Sequence, residues 1–222
     1  MSYIFHFRDL MPYLGMFAEG LRVTVSLAAI ALAASLALAL PAAFGRVFGP
    51  RWLRAVLVAW IELARNTPFL IQLFFIYFGF GSLGLRFTPF TASVIALTFN
   101  FSAYFAEILR AGIVSLPKGQ TEAARVLGMT QVQILRDILL RPMLGRVWPA
   151  LCAQMNLLVL GTSVASAVSV DELTGVSMVV ASNTYRSFEV FSVMALVYLI
   201  LTLVVALALK LAGFAAFRWQ RV

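Results

Sequence analysis

The sequence predicts an all-α membrane protein with five transmembrane helices, and two features of its composition lead to that fold class. Hydrophobic residues make up 62% of the 222 residues and charged residues only 12%, whereas soluble domains carry about 45–50% apolar and about 25% charged residues. The apolar residues also form long unbroken runs, such as SLAAIALAASLALALPAAFG. Strands of a membrane barrel would alternate apolar and polar residues, so these runs favour helices.

Five segments are long enough to cross a bilayer, which requires about 20 predominantly apolar residues. The predicted spans cover about residues 21–44, 53–80, 88–109, 147–170 and 188–217. The second is interrupted between Glu62 and Pro68, and the fourth is less apolar than the others. We therefore expect a single transmembrane domain over residues 1–222, with a loop over residues 110–146.

The distribution of Lys and Arg predicts the orientation of these spans. Basic residues concentrate in the loop over residues 110–146 and in the segments that follow the first and fifth spans. Since cytoplasmic loops carry an excess of Lys and Arg, the N-terminus is expected outside and the C-terminus in the cytoplasm. The net charge of +8 is spread beside the apolar runs rather than gathered in one patch, so no nucleic-acid partner is predicted.

The residue inventory argues against catalysis by this chain. Cys152 is the only cysteine and His6 the only histidine, so neither an internal disulfide nor a His-based metal site or Ser-His-Asp triad is predicted. An intramembrane enzyme would need clustered His, Asp or Glu near the spans, and no such cluster stands out. The sequence also lacks a Gly-x-x-x-x-Gly-Lys-Ser/Thr phosphate-binding motif. No catalytic residue, metal site or cofactor is therefore expected in this chain.

The loop over residues 110–146 contains the polar segment KGQTEAARVLGMTQ, which has the local signals of two short helices. Gly128 stands where a left-handed residue would end the first helix. Thr130 and Gln133 have the spacing of a capping box for the second helix, which is expected to end at Pro142. These signals alone leave two interpretations open, a solvated connection or a folded functional element.

Resemblance to a known family favours the second interpretation. The segment GQTEAARVLGMTQVQILRDILLRP resembles the EAA loop of permease subunits in ATP-binding-cassette (ABC) importers, and ELARNTPFLIQLFF, NFSAYFAEILRAGIVSLPKGQ and GTSVASAVSVDELTG resemble the branch that imports polar amino acids. The resemblance covers nearly the whole chain. It implies the type I ABC importer permease fold and a multi-pass subunit of the bacterial inner membrane. The implied function is to form the translocation pathway for a polar amino acid or a related small solute.

The resemblance also implies partners. In this family the loop forms a coupling helix that sits in a groove of a cytoplasmic cassette ATPase dimer, which binds and hydrolyses the ATP with Mg²⁺. The lipid-embedded pathway would be completed by a second permease subunit, identical or paralogous, and an extracytoplasmic solute-binding protein would deliver the substrate. The residues that match the family's coupling motif are Gly119, Glu122, Ala123, Ala124 and Gly128.

Polar residues within the predicted spans are candidates for the pathway or its gate, because ionisable groups are costly in hydrocarbon. The candidates are Glu62, Arg65, Asn66, Thr67, Pro68, Gln154, Asn156, Thr162 and Ser163. Glu62 and Arg65 have the spacing to form an ion pair, so a paired structural kink and a pathway role both remain open. Leu160 stands where many relatives carry lysine, which leaves the substrate and the gating contacts undetermined.

Two alternatives belong to other classes of function. A proton-coupled secondary transporter would use Glu62 as its proton carrier, but five spans and an EAA-like loop fit that class poorly. An intramembrane enzyme is a still poorer fit, because the chain has only nine acidic residues and one histidine. Outside the spans, Asp171 and Glu172 can either contact the solute-binding protein or cap a helix, and the sequence leaves both interpretations open.

Overall fold

The helices of the chain follow its apolar runs. The computed structural model describes residues 5–217, apart from the side chains of Lys118 and Gln131, and this part of the chain contains helices and connections but no strand. In chain order the helices are a 3-10 helix (Phe7–Tyr13), α1 (Leu14–Phe48), α2 (Arg51–Asn66), α3 (Phe69–Ser82), α4 (Pro89–Val114), α5 (Lys118–Val126), α6 (residues 131–161), a second 3-10 helix (Thr162–Val168), α7 (Leu173–Thr184) and α8 (Ser187–Ala216).

Four helical stretches among the described residues are long and apolar enough to cross a membrane. They are Phe7–Phe48, Pro89–Val114, Ile134–Val168 and Ser187–Ala216, which correspond to the first, third, fourth and fifth predicted spans. All-helical membrane architecture is thereby confirmed.

The second predicted span is divided into two helices. α2 ends at Asn66 and α3 begins at Phe69, and Thr67 between them has an extended backbone (φ −113°, ψ 141°). Pro68 explains the break, because a proline disfavours the helical conformation of the residue before it. The predicted interruption is confirmed, while the passage of α2 and α3 through the membrane as one span remains a prediction.

The fourth span is longer than expected at its inner end. The helix predicted to stop at Pro142 continues, since a π-helical segment over Ile134–Leu139 leads directly into Leu140–Gly161. That expectation was therefore wrong. Pro142 has no N–H, so a regular α-helix loses one backbone hydrogen bond at this residue. The π-helical segment that precedes Pro142 has a wider turn and a different hydrogen-bond pattern. As a result, the second helix of the loop and the fourth span form one continuous helix.

The chain forms two compact units. The first contains the residues up to Ala33, Pro68–Thr98 and Asn156–Val205, and the second contains Ala34–Thr67, Phe99–Met155 and the residues from Ala206. The long helices α1, α4, α6 and α8 contribute residues to both. A core of apolar side chains holds the first unit together, namely Leu10, Phe17, Leu173, Val176, Val180, Ala181, Val190 and Tyr198.

Glu172 is fully buried in the first unit, at the beginning of α7. Its carboxylate accepts hydrogen bonds from the Gly175 N–H (2.9 Å), the Tyr198 hydroxyl (2.7 Å) and the Thr24 hydroxyl (3.3 Å). Of the two interpretations left open by the sequence, Glu172 therefore acts as a helix cap, and burial excludes it from contact with a docking protein. Asp171 is exposed.

Close packing of α1 on the beginning of α7 depends on Gly20. A Cβ atom at Gly20 would lie 3.1 Å from the Leu173 Cα atom and 3.3 Å from the Glu172 carbonyl carbon. Backbone atoms cannot move aside as a flexible side chain can, so only glycine permits this approach. The Glu172 carboxylate is thereby enclosed between α1, α7 and α8.

In the second unit, α4 packs against α6 at Gly112, and this contact gives a testable prediction. A Cβ atom at Gly112 would lie 2.5 Å from Val147 Cγ1 and 2.8 Å from Met143 Cγ. We expect Gly112→Ala to destabilise the folded chain by about 1–3 kcal/mol, the usual cost of overpacking. Thermal unfolding of the detergent-solubilised protein would show a lower midpoint.

Gly15 provides the matched control for this substitution. It is also helical, but nothing lies within 4 Å of the position that a Cβ atom would occupy there. Gly15→Ala should therefore leave the unfolding midpoint unchanged or raise it slightly through better helix propensity. Equal midpoints for the two variants would show that α4 and α6 do not pack closely at Gly112.

Candidate coupling loop and pathway residues

The first helix of the loop ends as its sequence predicts. Gly128 follows α5 with φ +75°, a left-handed conformation that side chains other than glycine rarely adopt. The Gly128 N–H donates to the Arg125 carbonyl (2.9 Å) and the Met129 N–H to the Ala124 carbonyl (3.1 Å). These bonds satisfy carbonyl groups that the end of the helix would otherwise leave free. The predicted glycine-terminated helix is confirmed.

A capping box begins the second helix of the loop. The Thr130 N–H donates to the Gln133 side-chain oxygen (2.8 Å), and the Gln133 N–H donates to the Thr130 hydroxyl (3.3 Å). This reciprocal pair is the arrangement that the Thr-x-x-Gln spacing predicted. The loop is therefore a compact pair of helices joined by a short turn, rather than a slack connection.

The small residues of the coupling motif face different surroundings. Ala124 is 3% exposed, so it packs inside the chain, whereas Ala123 and Glu122 are exposed. Gly119 is also exposed, with open space where a Cβ atom would stand. Of the two alanines, only Ala123 is therefore accessible to a partner in this conformation.

Two grooves flank α5. One has a volume of about 360 Å³ and includes Ala123, Leu127 and Pro142 in its lining; the other has a volume of about 290 Å³ and includes Phe48, Glu122 and Arg125. Both linings are mainly apolar, so α5 lies between two concave surfaces of the second unit.

Three large apolar side chains of the loop are mostly exposed, and one of them, Leu127, also lines the larger groove. Val126, Leu127 and Val132 are 89%, 80% and 71% exposed, and we refer to them as the apolar tip. Single exposed apolar residues are common, but three large ones so fully exposed on a short polar segment are candidates for an interaction surface. The sequence analysis missed these residues because periodicity does not show which face of a nine-residue helix is covered. The Val-Leu pair directly before Gly128 was the one signal that could have found them.

An ion cluster joins α1 to α4 near the loop. The Glu107 carboxylate accepts from Arg110 Nε (3.0 Å) and from Arg46 Nη1 (2.7 Å). The Glu107 and Arg110 pairing follows from their spacing, whereas Arg46 is distant in sequence and was not foreseen. This cluster fixes the ends of two helices on the side of the membrane where the loop lies.

The charged candidates on α2 do not pair with each other. Glu62 and Arg65 both belong to the described part of the chain, and no ion pair joins them. The Glu62 carboxylate instead accepts from Asn66 Nδ2 (2.8 Å), and the Arg65 guanidinium lies over the Tyr104 ring, 5.4 Å from its centre. The interpretation of this region as an internally paired kink is therefore wrong. All three α2 side chains are exposed.

Neighbouring side chains satisfy the backbone at the end of α2. Asn100 donates to the Ala64 carbonyl (3.0 Å), Tyr104 to the Arg65 carbonyl (3.3 Å), and the Thr67 hydroxyl to the Leu63 carbonyl (2.8 Å). A helix can end within a membrane only where such groups find partners. Asn100 and Tyr104 thus support the break, although nothing in their local sequence indicated this role.

The remaining pathway candidates are distributed between the two units. Pro68, Asn156, Thr162 and Ser163 belong to the first unit and Gln154 to the second. The Thr162 and Ser163 hydroxyls donate to the carbonyls of Val159 and Leu160, both at 2.7 Å. The buried Oδ1 atom of Asn156 has no hydrogen-bond partner among the described residues.

The helical spans and the compact two-helix loop agree with the fold that the resemblance to ABC importer permeases implied. Residues 29–217 match the family described as "Binding-protein-dependent transport system inner membrane component", and the chain belongs to that family.

Individual relatives cover most of the chain. The glutamine transport system permease protein GlnP of Escherichia coli (strain K12) is 34% identical over 208 residues, which are 93% of this chain and 95% of that protein. The probable glutamine ABC transporter permease protein GlnM of Bacillus subtilis (strain 168) is 39% identical, over 85% of this chain and 87% of that protein. A crystal structure of an amino acid ABC transporter with histidines matches with a TM-score of 0.87 and 33% identity, covering 95% of this chain and 99% of that one.

Proposed function

We propose that this chain forms, together with a second permease subunit, the translocation pathway for a polar amino acid or a related small solute. The observation that carries this substrate class is the exposed, mutually unpaired set of Glu62 and Arg65 at the break between α2 and α3. The relatives named for glutamine transport support it.

Opposite charges at this spacing suit a zwitterion. Residues three apart lie on the same face of a helix, so the carboxylate of Glu62 and the guanidinium of Arg65 project to one side. A free amino acid carries an ammonium and a carboxylate group, and arginine binds carboxylates through two parallel hydrogen bonds. Charges in a membrane segment are retained where they face a pathway or a partner, and a pathway position would account for the exposed α2 pair.

The apolar tip and the exposed Glu122 support docking of a cytoplasmic ATPase on the loop. In the proposed complex, two cassette ATPase subunits bind ATP and Mg²⁺, and this chain binds neither. Closure of the ATPase dimer would move the loop, and α6 would carry that movement into the fourth span because the two are one continuous helix. An extracytoplasmic binding protein would deliver the solute, and the complex would lie in a bacterial inner membrane.

Replacement of Arg65 tests the pathway assignment. Loss of a charged hydrogen-bond donor to the substrate costs about 1.5–3 kcal/mol, so Arg65→Gln should lower the initial rate of uptake at subsaturating substrate by about tenfold or more. The measurement is uptake of a radiolabelled amino acid by proteoliposomes that contain the complete importer, its binding protein and internal ATP.

Arg51→Gln is the matched control, because Arg51 is an exposed arginine at the opposite end of the same helix. It should transport at the wild-type rate. Equal uptake by both variants would place the substrate elsewhere, and uptake driven by an imposed proton gradient without ATP would support a secondary transporter instead.

A further inference from the structure

An aromatic surface covers the beginning of the described chain and the first turn of α8. Its members are large apolar side chains, each 49–64% exposed: Phe5, Phe7, Met11, Leu14 and Phe188. The Phe5 ring stacks on Phe7 (6.2 Å between centres) and lies 5.2 Å from the Phe188 ring at a tilted angle. We refer to these five residues as the aromatic cap.

The aromatic cap belongs to an ordered part of the first unit. The His6 N–H donates to the buried Glu189 carboxylate (3.0 Å), and Arg186 Nε lies 3.3 Å from the Asp9 carboxylate. Leu10, the residue after Asp9, is buried in the core of the unit. These contacts hold the N-terminal segment, with its exposed rings, against the first turn of α8.

The aromatic cap is continuous with the exposed apolar surface of α8, which is predicted to face lipid. α8 is the least buried of the four spanning helices, and its exposed apolar residues recur at helical spacing below Phe188: Phe191, Leu196, Leu199, Ile200 and Leu203. Phe188 is the first residue of this stripe, and Phe5 extends it onto the N-terminal segment.

Helix length places the aromatic cap near the membrane surface. The stretch Phe7–Phe48 has 42 residues, or about 60 Å at the rise of an α-helix, which is about twice the thickness of the hydrocarbon core. Part of it must therefore leave the hydrocarbon. The exposed pair of Glu19 and Arg22 on α1 (Oε2 to Nε, 3.0 Å) stands between the aromatic cap and the most apolar part of that helix.

We propose that the aromatic cap is a membrane-interface anchor, which binds the boundary between phospholipid headgroups and acyl chains on the side predicted to be outside. Segments that lie at this boundary carry residues such as Phe and Leu on the face that enters the acyl chains, and Lys or Arg on the polar face. The exposed guanidinium group of Arg8 in the same segment could bind the phosphate groups of the lipid headgroups. The anchor fixes the outer ends of α1 and α8 relative to the bilayer surface.

Depth-dependent fluorescence quenching tests this proposal. In a Cys152→Ala background, Phe7→Cys and Met11→Cys are each labelled with an environment-sensitive fluorophore, and the full-length permease in its purified complex is reconstituted into vesicles of phosphatidylethanolamine and phosphatidylglycerol. Lipids with a nitroxide near the headgroup should quench both labels more strongly than lipids with a nitroxide deep in the acyl chain, because an interfacial apolar face reaches only about 5–10 Å into the bilayer. Tyr185→Cys is the control, since Tyr185 is 90% exposed at the end of α7 and its label should respond to aqueous iodide.

Three results would overturn the proposal. Quenching of the Phe7 and Met11 labels by iodide alone would place the aromatic cap in water. Protection that arises only after addition of the solute-binding protein would make it a protein-docking surface. Rapid disulfide formation between two unlabelled Phe7→Cys chains would make it a contact between permease subunits.

Discussion

Leu127→Asp is expected to abolish coupling between this chain and its ATPase. Leu127 is a large apolar side chain, 80% exposed, in the centre of the apolar tip, and it would be buried when the ATPase binds. Loss of such an anchor costs about 2–4 kcal/mol of binding energy, which corresponds to about thirtyfold to a thousandfold in affinity. Co-purification of the ATPase and stimulation of ATP hydrolysis by the loaded binding protein should both be lost.

Two further variants sharpen this experiment. Leu127→Met keeps the apolar surface and should retain ATPase binding. Glu122→Arg should have a smaller effect than Leu127→Asp, because an exposed charge contributes about 1 kcal/mol or less. If Leu127→Asp retained the ATPase at the wild-type yield and Glu122→Arg lost it, the carboxylate rather than the apolar tip would be the main contact.

Local features of the fold were predictable because nearby residues determine them. The break between α2 and α3 follows from Pro68, the end of α5 from Gly128, and the start of α6 from Thr130 with Gln133. In each case the residues that impose the conformation lie within three or four positions of it. The predicted glycine-terminated first helix of the loop and the capped start of its second helix therefore agree with the structure, while the predicted end at Pro142 does not.

Features that depend on distant residues were not predictable. Arg65 lies over Tyr104, which is 39 positions away, rather than beside Glu62, and the orientation of Ala124 toward the interior depends on how α5 packs. The helix through Pro142 shows the limit of local rules as well, since a π-helical turn removes the conflict that would normally end a helix. Spacing within one segment cannot reveal which of several compatible partners a side chain takes.

Glu172 is the clearest example of a residue whose role depends on distant partners, and its replacement should have a large effect on stability. Its donors come from α1, α7 and α8, at Thr24, Gly175 and Tyr198. Glu172→Leu would leave the Gly175 N–H without its acceptor, at about 1–3 kcal/mol. It would also remove one partner from each of the Thr24 and Tyr198 hydroxyls, which also bond to the Gly20 carbonyl and the Thr174 hydroxyl, respectively. The thermal unfolding midpoint of the solubilised protein should fall by many degrees.

The pH dependence of stability distinguishes loss of the carboxylate charge from loss of the hydrogen bonds. Burial raises the pKa of the Glu172 carboxyl above its ordinary value of 4.5, although the hydrogen bonds from Thr174, Tyr198 and Gly175 oppose this shift. The folded state then binds this proton more tightly than the unfolded state. Stability is therefore highest below the unfolded pKa, and it falls as the pH rises from about 4.5 through the folded pKa.

Glu172→Gln keeps a hydrogen-bond acceptor but cannot ionise, so it should lack this contribution to the pH dependence. Relative to Glu172→Gln, the wild-type unfolding midpoint should decline as the pH rises above the ordinary carboxyl pKa of 4.5, while Glu172→Leu should remain below both at every pH. If the difference in unfolding midpoint between wild type and Glu172→Gln stayed constant as the pH rose, the Glu172 carboxyl would have the same pKa in the folded and unfolded states. Equal stability of Glu172→Leu and Glu172→Gln would show that the bonds from Gly175 and Tyr198 do not hold α7 in place.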